Sequence, residues 1–465
     1  MFALRMRFGY ISWVTLEVDS MDTNVVVVGL GYVGLTLSAH LSSVGFRVHG
    51  VEIRQSVLES LQEKKSFFWE PNLNEVISKT ILSGAFSFSE NMPPSKEVRV
   101  FIITVGTPLD INGNTNLAPI ISASKQVAEV LNEGDLVILR STVKLGTTDE
   151  IVAQILSKKQ VRFDLAFCPE RTLEGSALQE LGNLPQIIGA NTLRVRQRAA
   201  KFFGHSTSSV ITVSNTKTAE MIKLVDNMQR DAHFAISNEI AAMCNDLEIR
   251  AVEVINFGKL GYPRTNLPTP GPVGGPCLEK DSYILAESFS HTPELGQVTL
   301  STRKANENVI LAGANFISDF LITKFNEKSI KIAVLGLAFK GKPETDDLRG
   351  SPSITLLEIL SEKFPSADIF CWDPMVTNLG EDKVSWNLAS SLDNAAIGAN
   401  AVVIVNNHPK FDGLDIFYLS SIMKKNSLIY DFWDRYSNSI LDGSHSTYRG
   451  WGNHKSNDFE GNSLI

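Results

Sequence analysis

The sequence of 465 residues is poor in cysteine and has no dominant charge and no long apolar run. Its four cysteines do not have the spacing of metal ligands, and no stretch of about 18 apolar residues could span a bilayer. A net charge of -8 argues against general binding to nucleic acid or to an anionic membrane. We therefore predict a protein without a metal site, a nucleic-acid partner or a membrane span, located in a reducing cytoplasm.

The two ends of the chain differ in composition from the rest. Within residues 1–20, Arg5 and Arg7 precede a mildly apolar stretch, as in a signal peptide. Polar residues interrupt this stretch, however, and no small-residue cleavage site follows it. We interpret them as an N-terminal extension rather than a signal peptide. Residues 441–465 are rich in Ser, Gly and Asn and are too polar to form a core, so we predict a polar tail.

A strand followed by closely spaced glycines begins the folded part of the chain. Valine dominates residues 24–28, as expected for a strand buried on both faces of a parallel sheet. The next six residues are Gly29-Leu30-Gly31-Tyr32-Val33-Gly34. Their spacing is that of the dinucleotide fingerprint, in which the first glycine makes the tight turn, the second admits the pyrophosphate and the third lets helix and strand pack closely. A second strand at 47–51 completes a βαβ unit.

Glu52 ends this second strand, where a carboxylate can bind the ribose hydroxyls of an adenosine. Because a carboxylate there would also repel the 2′-phosphate of NADP, Glu52 favours NAD as the cofactor. Arg54 lies two residues further on and keeps NADP open as an alternative. The other interpretation of Glu52 is a solvated strand end.

Strands and helical patterns alternate along most of the remaining sequence. Further strands are predicted at 98–104, 136–140 and 164–167, and the loops after them contain Thr107, Thr142 and Glu170. In an open parallel sheet such loops meet at the carboxyl edge, where ligands bind. A second series of strands begins at 331, without the glycine fingerprint.

A long helical pattern separates the two series of strands. It runs from 216 to 243 without Gly or Pro. The fold class that these patterns predict is α/β, with two Rossmann-like doubly wound domains joined by a long central helix. The predicted divisions are an extension (1–20), an NAD-binding Rossmann domain (21–213), a central helical domain (214–308), a C-terminal Rossmann-like domain (309–440) and a polar tail (441–465).

The segment 274–281 places a cysteine behind two glycines and beside charged residues. Its sequence is Gly274-Gly275-Pro276-Cys277-Leu278-Glu279-Lys280-Asp281. If a helix begins at Cys277 and extends to about residue 289, then Cys277, Lys280 and Asp281 share one face. A helix N-terminus and a neighbouring ammonium both favour thiolate, so we predict a nucleophile whose pKa is lowered toward or below neutrality. A buried structural cysteine is the alternative.

Lys223 and Asn227 lie four residues apart in the long helical pattern and therefore share one helical face. An ammonium and an amide in that arrangement could bind an oxyanion or a water. The alternative interpretation is a solvated lysine beside a polar neighbour.

Five segments, in this order, resemble the UDP-glucose/GDP-mannose dehydrogenase family, whose members oxidise a nucleotide sugar at C6 to a uronic acid. They are the fingerprint 29–34, residues 168–175 (CPERTLEG), residues 219–227 (AEMIKLVDN), the loop of Cys277, and residues 336–340 (GLAFK) followed by 346–349 (DDLR). The resemblance covers residues 24–434. It implies that the C-terminal Rossmann-like domain binds a UDP-sugar and that the product is a precursor of a surface polysaccharide.

The resemblance also implies a four-electron oxidation that uses two NAD molecules in turn. Cys277 would hold the aldehyde as a thiohemiacetal and then as a thioester, which water hydrolyses. The other catalytic residues that it implies are Lys223, Asn227, Asp281, Glu170 and Thr142. The expected cofactor contacts are Gly29, Gly31, Tyr32, Val33, Gly34, Glu52, Thr107, Thr142, Glu174, Lys280 and Arg349. The expected substrate contacts are Glu170, Lys223, Asn227, Arg264, Gly271, Gly274, Phe339 and Lys340.

Two parts of the sequence bear on the identity of the sugar. Residues 168–175 are similar to those of members that act on UDP-N-acetylhexosamines, whereas the pair Lys280-Asp281 is similar to the UDP-glucose enzymes. We favour a UDP-N-acetylhexosamine, with UDP-glucose next. The chain departs from the usual family pattern at Pro276, at Leu173 and in the connection after Lys340.

Three further expectations complete the sequence-based prediction. The helical pattern at 216–243 is long enough to pair with a second subunit, so we predict a homodimer or a higher homo-oligomer. In such an assembly Arg264 could reach the site of the partner. A two-electron dehydrogenase of the hydroxyacid type, which needs no cysteine, and a non-catalytic nucleotide-binding protein remain the alternative functions.

Overall fold

The computed structural model describes residues 22–292, 294–325, 330–379 and 386–454. These residues form two sheets of mainly parallel strands covered by helices, and long helices connect the sheets along the chain. The predicted extension 1–20 and residues 455–465 of the predicted tail lie outside the described residues. The prediction of an α/β fold with two doubly wound domains joined by a long helix is confirmed.

The N-terminal sheet has an order that predicts where a ligand binds. Its strands are β1 (Asn24–Val28), β2 (Arg47–Val51), β3 (Phe86–Ser89), β4 (Val100–Ile103), β5 (Leu136–Leu139), β6 (Asp164–Phe167), β7 (Gln186–Gly189) and β8 (Val210–Val213). They lie in the order β3-β2-β1-β4-β5-β6-β7-β8, and β6 pairs antiparallel with β7. Because the order reverses between β1 and β4, the carboxyl ends of these two strands form the crevice in which such folds bind ligands.

Helices cover both faces of this sheet. They are α1 (Tyr32–Ser43), α2 (Gln55–Gln62), α3 (Leu73–Leu82), α4 (Ala118–Val130), α5 (Ala153–Ser157), α6 (Ala177–Asn183) and α7 (Leu193–Phe203). A π-helical turn at Thr148–Val152 precedes α5. Val25 and Val27 pack into one apolar core, whereas Val26 and Val28 pack into another on the opposite face. This alternation explains why the first strand consists almost entirely of valine.

Four helices follow the first sheet. They are α8 (Thr216–Leu247), α9 (Ala251–Gly258), α10 (Gly275–Glu287) and α11 (Gln297–Lys324). The Asn215 side chain accepts a hydrogen bond of 2.7 Å from the N–H of Thr218 and so caps the start of α8. Helix α10 begins two residues before the predicted start at Cys277. Helix α11 runs without a break across residue 308, so the predicted boundary there falls inside a helix that the two domains share.

The C-terminal sheet repeats the doubly wound order. Its strands are β9 (Lys331–Leu335), β10 (Asp368–Trp372), β11 (Asn387–Leu388), β12 (Ala401–Ile404), β13 (Ser427–Asp431) and β14 (Ser446–Gly450). They lie in the order β11-β10-β9-β12-β13-β14. The helices of this domain are α12 (Pro352–Lys363), α13 (Leu392–Ala396) and α14 (Ile416–Ile422), with 3-10 turns at Pro409–Phe411 and Asn438–Leu441.

Strand β14 lies inside the predicted polar tail, so the predicted boundary at 440 is wrong for these residues. Ser446, Tyr448 and Gly450 are buried, and the two residues between them are half-buried. The average polarity of the segment concealed this alternation, which is the pattern of a strand at the edge of a sheet.

A buried ion pair joins three of the central helices. Asp231 of α8 and Arg303 of α11 are almost completely buried, and their charged atoms lie 2.8 Å apart. Asp231 also accepts a hydrogen bond of 3.2 Å from Ser282 of α10. Arg303 donates to the backbone carbonyls of Val273 at 3.1 Å and Leu278 at 3.2 Å. The pair therefore holds the loop that leads into α10 and the first turn of that helix.

The substitution Arg303→Met should destabilise the protein strongly, because it leaves the Asp231 carboxylate buried without its cation. We expect the free energy of unfolding to fall by about 3–5 kcal/mol, measured by urea unfolding followed with circular dichroism. The matched control is Lys217→Ala, which removes an exposed pair with Glu150 at 3.5 Å and should cost less than about 1 kcal/mol. Equal effects of the two substitutions would contradict the role of the buried pair.

Candidate active site

A cleft of about 510 Å³ begins at the carboxyl ends of β1, β4 and β5 and reaches the first turn of α10. Most of the residues predicted to bind cofactor or to act in catalysis line it. They are Gly29, Gly31, Tyr32, Val33, Glu52, Thr107, Thr142, Glu170, Glu174, Lys223, Cys277, Lys280 and Arg349. The fold thus brings residues from the N-terminal sheet, the central helices and the C-terminal domain to one cavity.

The glycine turn after β1 has the shape that a dinucleotide requires. A Cβ atom at Gly31 would meet no atom closer than 4.0 Å, so this side of the turn is open to the cleft. A Cβ atom at Gly34 would lie 1.9 Å from the carbonyl oxygen of Gly29, so Gly34 serves helix packing and does not line the cleft. No side chain caps the N-terminus of α1. Free space and uncapped N–H groups together fit a pyrophosphate.

Glu52 is held as an ionised carboxylate at the end of β2. It accepts hydrogen bonds from the N–H groups of Leu30 and Arg54, each at 3.0 Å, and from the Arg54 guanidinium at 2.9 Å. Burial by itself would raise the pKa of Glu52, but the bonds from Arg54 and Leu30 lower it below its ordinary value. Because Arg54 is paired with Glu52, its charge is already balanced, which favours NAD over NADP at this position.

Two glycines let the first turn of α10 approach the segment between β9 and α12. Gly275 has a φ angle of +93°, and its N–H donates to the carbonyl of Gly350 at 2.7 Å. A Cβ atom at Gly274 would lie 2.2 Å from that same carbonyl oxygen. Cys277 consequently lies in the first turn of the helix, and its side chain is exposed to the cleft. This position does not fit the alternative of a buried structural cysteine.

The other predicted catalytic residues of the central helices surround this turn. Asp281 is fully buried and accepts a hydrogen bond of 2.6 Å from the Asn227 amide and one of 2.8 Å from the Lys280 ammonium. Burial alone would lower the pKa of Lys280, but the neighbouring Asp281 raises it above its ordinary value. Lys223 lies one turn before Asn227, is almost buried and lines the cleft. The expected grouping of these side chains with Cys277 is present.

The pKa of the Cys277 thiol is raised above its ordinary value, which contradicts our prediction of a lowered pKa. Loss of surrounding water raises the pKa most. Lys223 and Lys280 lower it, whereas Asp281 and Glu174 raise it further. Cys277 lines the cleft, yet the surrounding protein displaces enough water to disfavour the thiolate. The sequence reveals the nearby cations and the helix end, but the desolvation depends on the packing of three domains.

Glu170 is fixed as a carboxylate by four hydrogen bonds. One oxygen accepts from the Arg140 guanidinium at 3.1 and 2.7 Å, and the other accepts from the N–H groups of Arg171 at 2.7 Å and Thr172 at 2.9 Å. Burial would raise the pKa of Glu170, but Arg140 and the backbone donors lower it below its ordinary value. The role of Arg140 was missed from the sequence, although its place directly after buried strand β5 is a signal for it.

Glu174 and Lys340 form a corner of the site in which burial shifts both pKa values toward each other. Burial and the nearby Asp347 raise the pKa of Glu174 to about 8, although Arg349 lowers it in part. One Glu174 oxygen lies 3.4 Å from the Arg349 guanidinium. Lys340 donates to the backbone carbonyl of Glu174, and burial lowers the pKa of Lys340 to about 8.

Gly271 and Phe339, both predicted to bind substrate, lie beside the cleft and not in its wall. Gly271 exchanges hydrogen bonds of 2.8 and 3.0 Å with the Asn238 side chain, and a Cβ atom there would lie 2.9 Å from the ring of Trp433. The Phe339 ring packs against Gly275, where a Cβ atom would lie 2.4 Å from it. These contacts join the C-terminal domain to the helix that carries the cysteine.

Arg264 is not brought to the cleft by the fold of one chain. It is exposed, donates to the Tyr262 hydroxyl at 3.1 Å and lies 4.5 Å from the centre of the Tyr262 ring. Its predicted contact with substrate is not made within one chain.

Two structural features of the described residues concern membranes and metals. None of their helices is both long and apolar enough to cross a membrane. No three His, Cys, Asp or Glu side chains among them are grouped as ligands of a metal ion.

Three sequence profiles of one family match the chain in order. Residues 23–207 match the NAD binding domain of the UDP-glucose/GDP-mannose dehydrogenase family, residues 217–308 its central domain, and residues 333–438 its UDP binding domain.

Named proteins and solved structures are also similar to the chain. The UDP-N-acetyl-D-mannosamine dehydrogenase of Pyrococcus horikoshii is 31% identical over 87% of this chain and 94% of its own length. The protein of the same name from Escherichia coli K12 is 30% identical over 83% of this chain and 94% of its own length. The structure of UDP-D-ManNAc dehydrogenase from P. horikoshii covers 92% of this chain and 99% of its own with a TM-score of 0.82 at 30% identity. The structure of the UDP-N-acetyl-mannosamine dehydrogenase of Staphylococcus aureus covers 92% of this chain and 98% of its own, with a TM-score of 0.79 at 27% identity.

A dinucleotide-binding sheet, a cleft that ends at a cysteine and a second nucleotide-binding domain define an NAD-dependent dehydrogenase of nucleotide sugars. The chain belongs to the UDP-glucose/GDP-mannose dehydrogenase family. It is therefore an oxidoreductase that uses NAD, as the sequence predicts.

The raised pKa of Cys277 predicts how the thiol reacts with an alkylating reagent. Between about pH 6 and 8 the rate of modification by iodoacetamide should increase about tenfold per pH unit, because the thiolate fraction does so well below the pKa. Quantitative mass spectrometry of the peptide that contains Cys277 measures this rate in the protein without ligands. A rate that is already constant at neutral pH would show that the pKa is lowered instead.

Proposed function

We propose that the enzyme oxidises the C6 alcohol of a UDP-N-acetylhexosamine to a carboxylate, with UDP-N-acetyl-D-mannosamine as the leading candidate substrate. The observation that carries this proposal is the grouping of an accessible Cys277 with Lys223 and the Asn227–Asp281 pair at the end of the cofactor cleft. The names of the similar proteins favour the N-acetylated sugar. UDP-glucose is the second candidate.

The glycine turn and Glu52 would hold NAD in the cleft, with the pyrophosphate at the N-terminus of α1 and the adenosine ribose at Glu52. Bound NAD would supply the hydride acceptor for each of two successive oxidations. Thr107 and Thr142 line the same cleft, and the Thr107 hydroxyl donates to the Thr142 carbonyl at 2.6 Å. This bond joins the two loops, which would lie next to the reacting end of bound NAD.

Cys277 is the proposed nucleophile. Its sulfur adds to the aldehyde carbon while the thiol proton passes to the C6 oxygen, which gives a neutral thiohemiacetal. After the second oxidation the sugar is bound to Cys277 as a thioester, and water then breaks the C–S bond to give the uronate and the free thiol. In total one alcohol and one water yield a carboxylate, two transferred hydrides and three protons.

Lys223 and Asn227 are proposed to stabilise the oxyanion that develops at C6 or to hold the attacking water. Both project from one face of α8, and a positively charged group and an amide donor at a nearly buried site stabilise negative charge strongly. Asp281 accepts from Asn227 at 2.6 Å, so it orients this amide, and we assign it assistance in proton transfer. Glu170 is proposed to assist the hydrolysis of the thioester from its fixed position.

The nucleotide sugar is proposed to lie between the central helices and the C-terminal domain. Lys340 offers a positive charge for the diphosphate there, and Phe339 offers an aromatic face. Gly271 and Gly274 let the backbone on the other side approach the Trp433 ring and the Gly350 carbonyl closely.

The proposed reaction has a stoichiometry that separates it from the two-electron alternative. We expect two NADH for each UDP-N-acetyl-D-mannosamine, measured by absorbance at limiting sugar, together with a uronic acid detected by mass spectrometry. A panel with UDP-N-acetylglucosamine and UDP-glucose identifies the sugar. One NADH per sugar without an acid would support a two-electron dehydrogenase, and binding of NAD without turnover of any sugar would support a non-catalytic protein.

The substitution Cys277→Ser should abolish formation of the acid and reduce the rate by at least about a thousandfold, as expected when a covalent nucleophile is removed. The control is Cys244→Ala, because Cys244 is a free cysteine of α8 that does not line the cleft. Full activity of Cys277→Ser would contradict the covalent route.

We also propose that the enzyme is a homodimer located in the cytoplasm, where its four free cysteines would stay reduced. Helices α8 and α9, with the turn that follows α9, expose large apolar side chains in a surface that we call the α8–α9 face. Its members include Met243 at 55%, Leu247 at 65%, Phe257 at 67% and Leu260 at 71% exposure. A second copy of the chain would bury them, because monomeric proteins seldom expose apolar patches of this kind.

Light scattering should give the mass of two chains for the wild-type protein and of one chain for Phe257→Asp. The matched control is Ile322→Asp on α11, since Ile322 is also 67% exposed but lies outside the α8–α9 face. A monomeric wild-type protein, or dissociation caused equally by both substitutions, would contradict this interface.

A further inference from the structure

One buried carboxylate connects the glycine turn of the cofactor cleft with the loop that carries Glu174. Glu70 lies between α2 and α3 and is 6% exposed. One of its oxygens accepts hydrogen bonds from the Tyr32 hydroxyl and from the N–H of Gly175, the latter at 2.7 Å. Its other oxygen accepts from the N–H of Ala177 at 2.7 Å. Glu70 therefore ties the first residue of α1 to the start of α6.

Tyr32 belongs to the cofactor side of this connection. It is the first residue of α1, whose N-terminus has no side-chain cap, and it lines the cleft. Its ring packs against Phe68, with 4.7 Å between the ring centres. Burial and Glu70 raise the pKa of Tyr32 above its ordinary value, so its hydroxyl stays protonated and remains the donor.

Gly175 belongs to the substrate side, because the C-terminal domain holds it from the opposite direction. Its φ angle is +85°, and a Cβ atom there would lie 2.5 Å from the carbonyl oxygen of Glu344. The preceding residue, Glu174, accepts a hydrogen bond from Lys340 with its carbonyl and lies 3.4 Å from Arg349 with its side chain. A shift of the loop at Glu174 and Gly175 therefore changes the contacts of the Lys340 ammonium and the Arg349 guanidinium.

We propose that Tyr32 and Glu70 are positioning residues that couple cofactor binding to nucleotide-sugar binding. A pyrophosphate at the N-terminus of α1 fixes Tyr32, whose hydroxyl fixes Glu70 and through it the loop at Gly175. Because that loop meets Lys340, each ligand binds more tightly when the other is present, and linkage makes the effect reciprocal. This inference rests on the proposed function, since it takes NAD and a UDP-sugar as the two ligands.

Calorimetric titration of the full chain measures this coupling without turnover. The dissociation constant of NAD is measured alone and with saturating UDP, and that of UDP alone and with NAD. For the wild-type protein we expect tightening of about fivefold or more in both directions. Tyr32→Phe keeps the ring but lacks the donor, so the ratio should fall to near 1. The control Tyr418→Phe removes a hydroxyl that donates to Asp393 at 3.2 Å on the exposed surface, and it should keep the wild-type ratio.

Two outcomes overturn the coupling and leave the proposed function intact. They are a wild-type ratio of 1 with both ligands bound, and a full wild-type ratio in Tyr32→Phe. Failure of the wild-type protein to bind NAD or UDP contradicts the proposed function instead.

Hydrogen exchange of the wild-type protein tests the same connection without a variant. NAD alone should slow exchange of the amides of Gly175 and Ala177, which donate to Glu70, in peptides analysed by mass spectrometry. Exchange that NAD leaves unchanged at these two amides contradicts the inference.

Discussion

The buried contact between α8 and α10 is the constraint on which the site depends. Asn227 donates to the fully buried Asp281 at 2.6 Å, and Lys280 donates to the other oxygen of the same carboxylate at 2.8 Å. These bonds satisfy a charge that would otherwise destabilise the fold, and they fix the rotation of α10 relative to α8. Because that rotation is fixed, Cys277 is exposed to the cleft and lies near Lys223. The ion pair between Asp231 of α8 and Arg303 of α11 also holds α10, because Ser282 donates to Asp231 and Arg303 donates to the Leu278 carbonyl.

The electrostatics of the site favour a nucleophile that rests as a thiol. Desolvation raises the pKa of Cys277 more than the adjacent lysines lower it. A protonated thiol reacts slowly with oxidants, since oxidation proceeds through the thiolate. Glu174 and Lys340, each with a pKa of about 8, lie where the C-terminal domain meets this cleft. Their charge states therefore respond to ligands that change the local water content.

The sequence predicted those parts of the fold and site that local pattern determines. The valines of β1, the glycine turn and the length of α8 follow from periodicity and spacing. The placement of Lys223 and Asn227 on one helical face was predicted in the same way. By contrast, the prediction of a lowered pKa for Cys277 was wrong, because desolvation depends on packing between segments that are distant in the sequence. Strand β14 was missed because its polar composition concealed a short alternation. The bond between Tyr32 and Glu70 joins residues 38 positions apart, which no local pattern reveals.

The most direct test of the account is detection of the sugar bound covalently to Cys277. The Glu170→Gln variant, in which hydrolysis of the thioester is expected to be slow, would be mixed with UDP-N-acetyl-D-mannosamine and NAD, quenched in acid and analysed by mass spectrometry. We predict a uronyl adduct on the peptide that contains Cys277, and none when Cys277→Ser is added. Formation of NADH and uronic acid without any adduct at Cys277 would contradict the account.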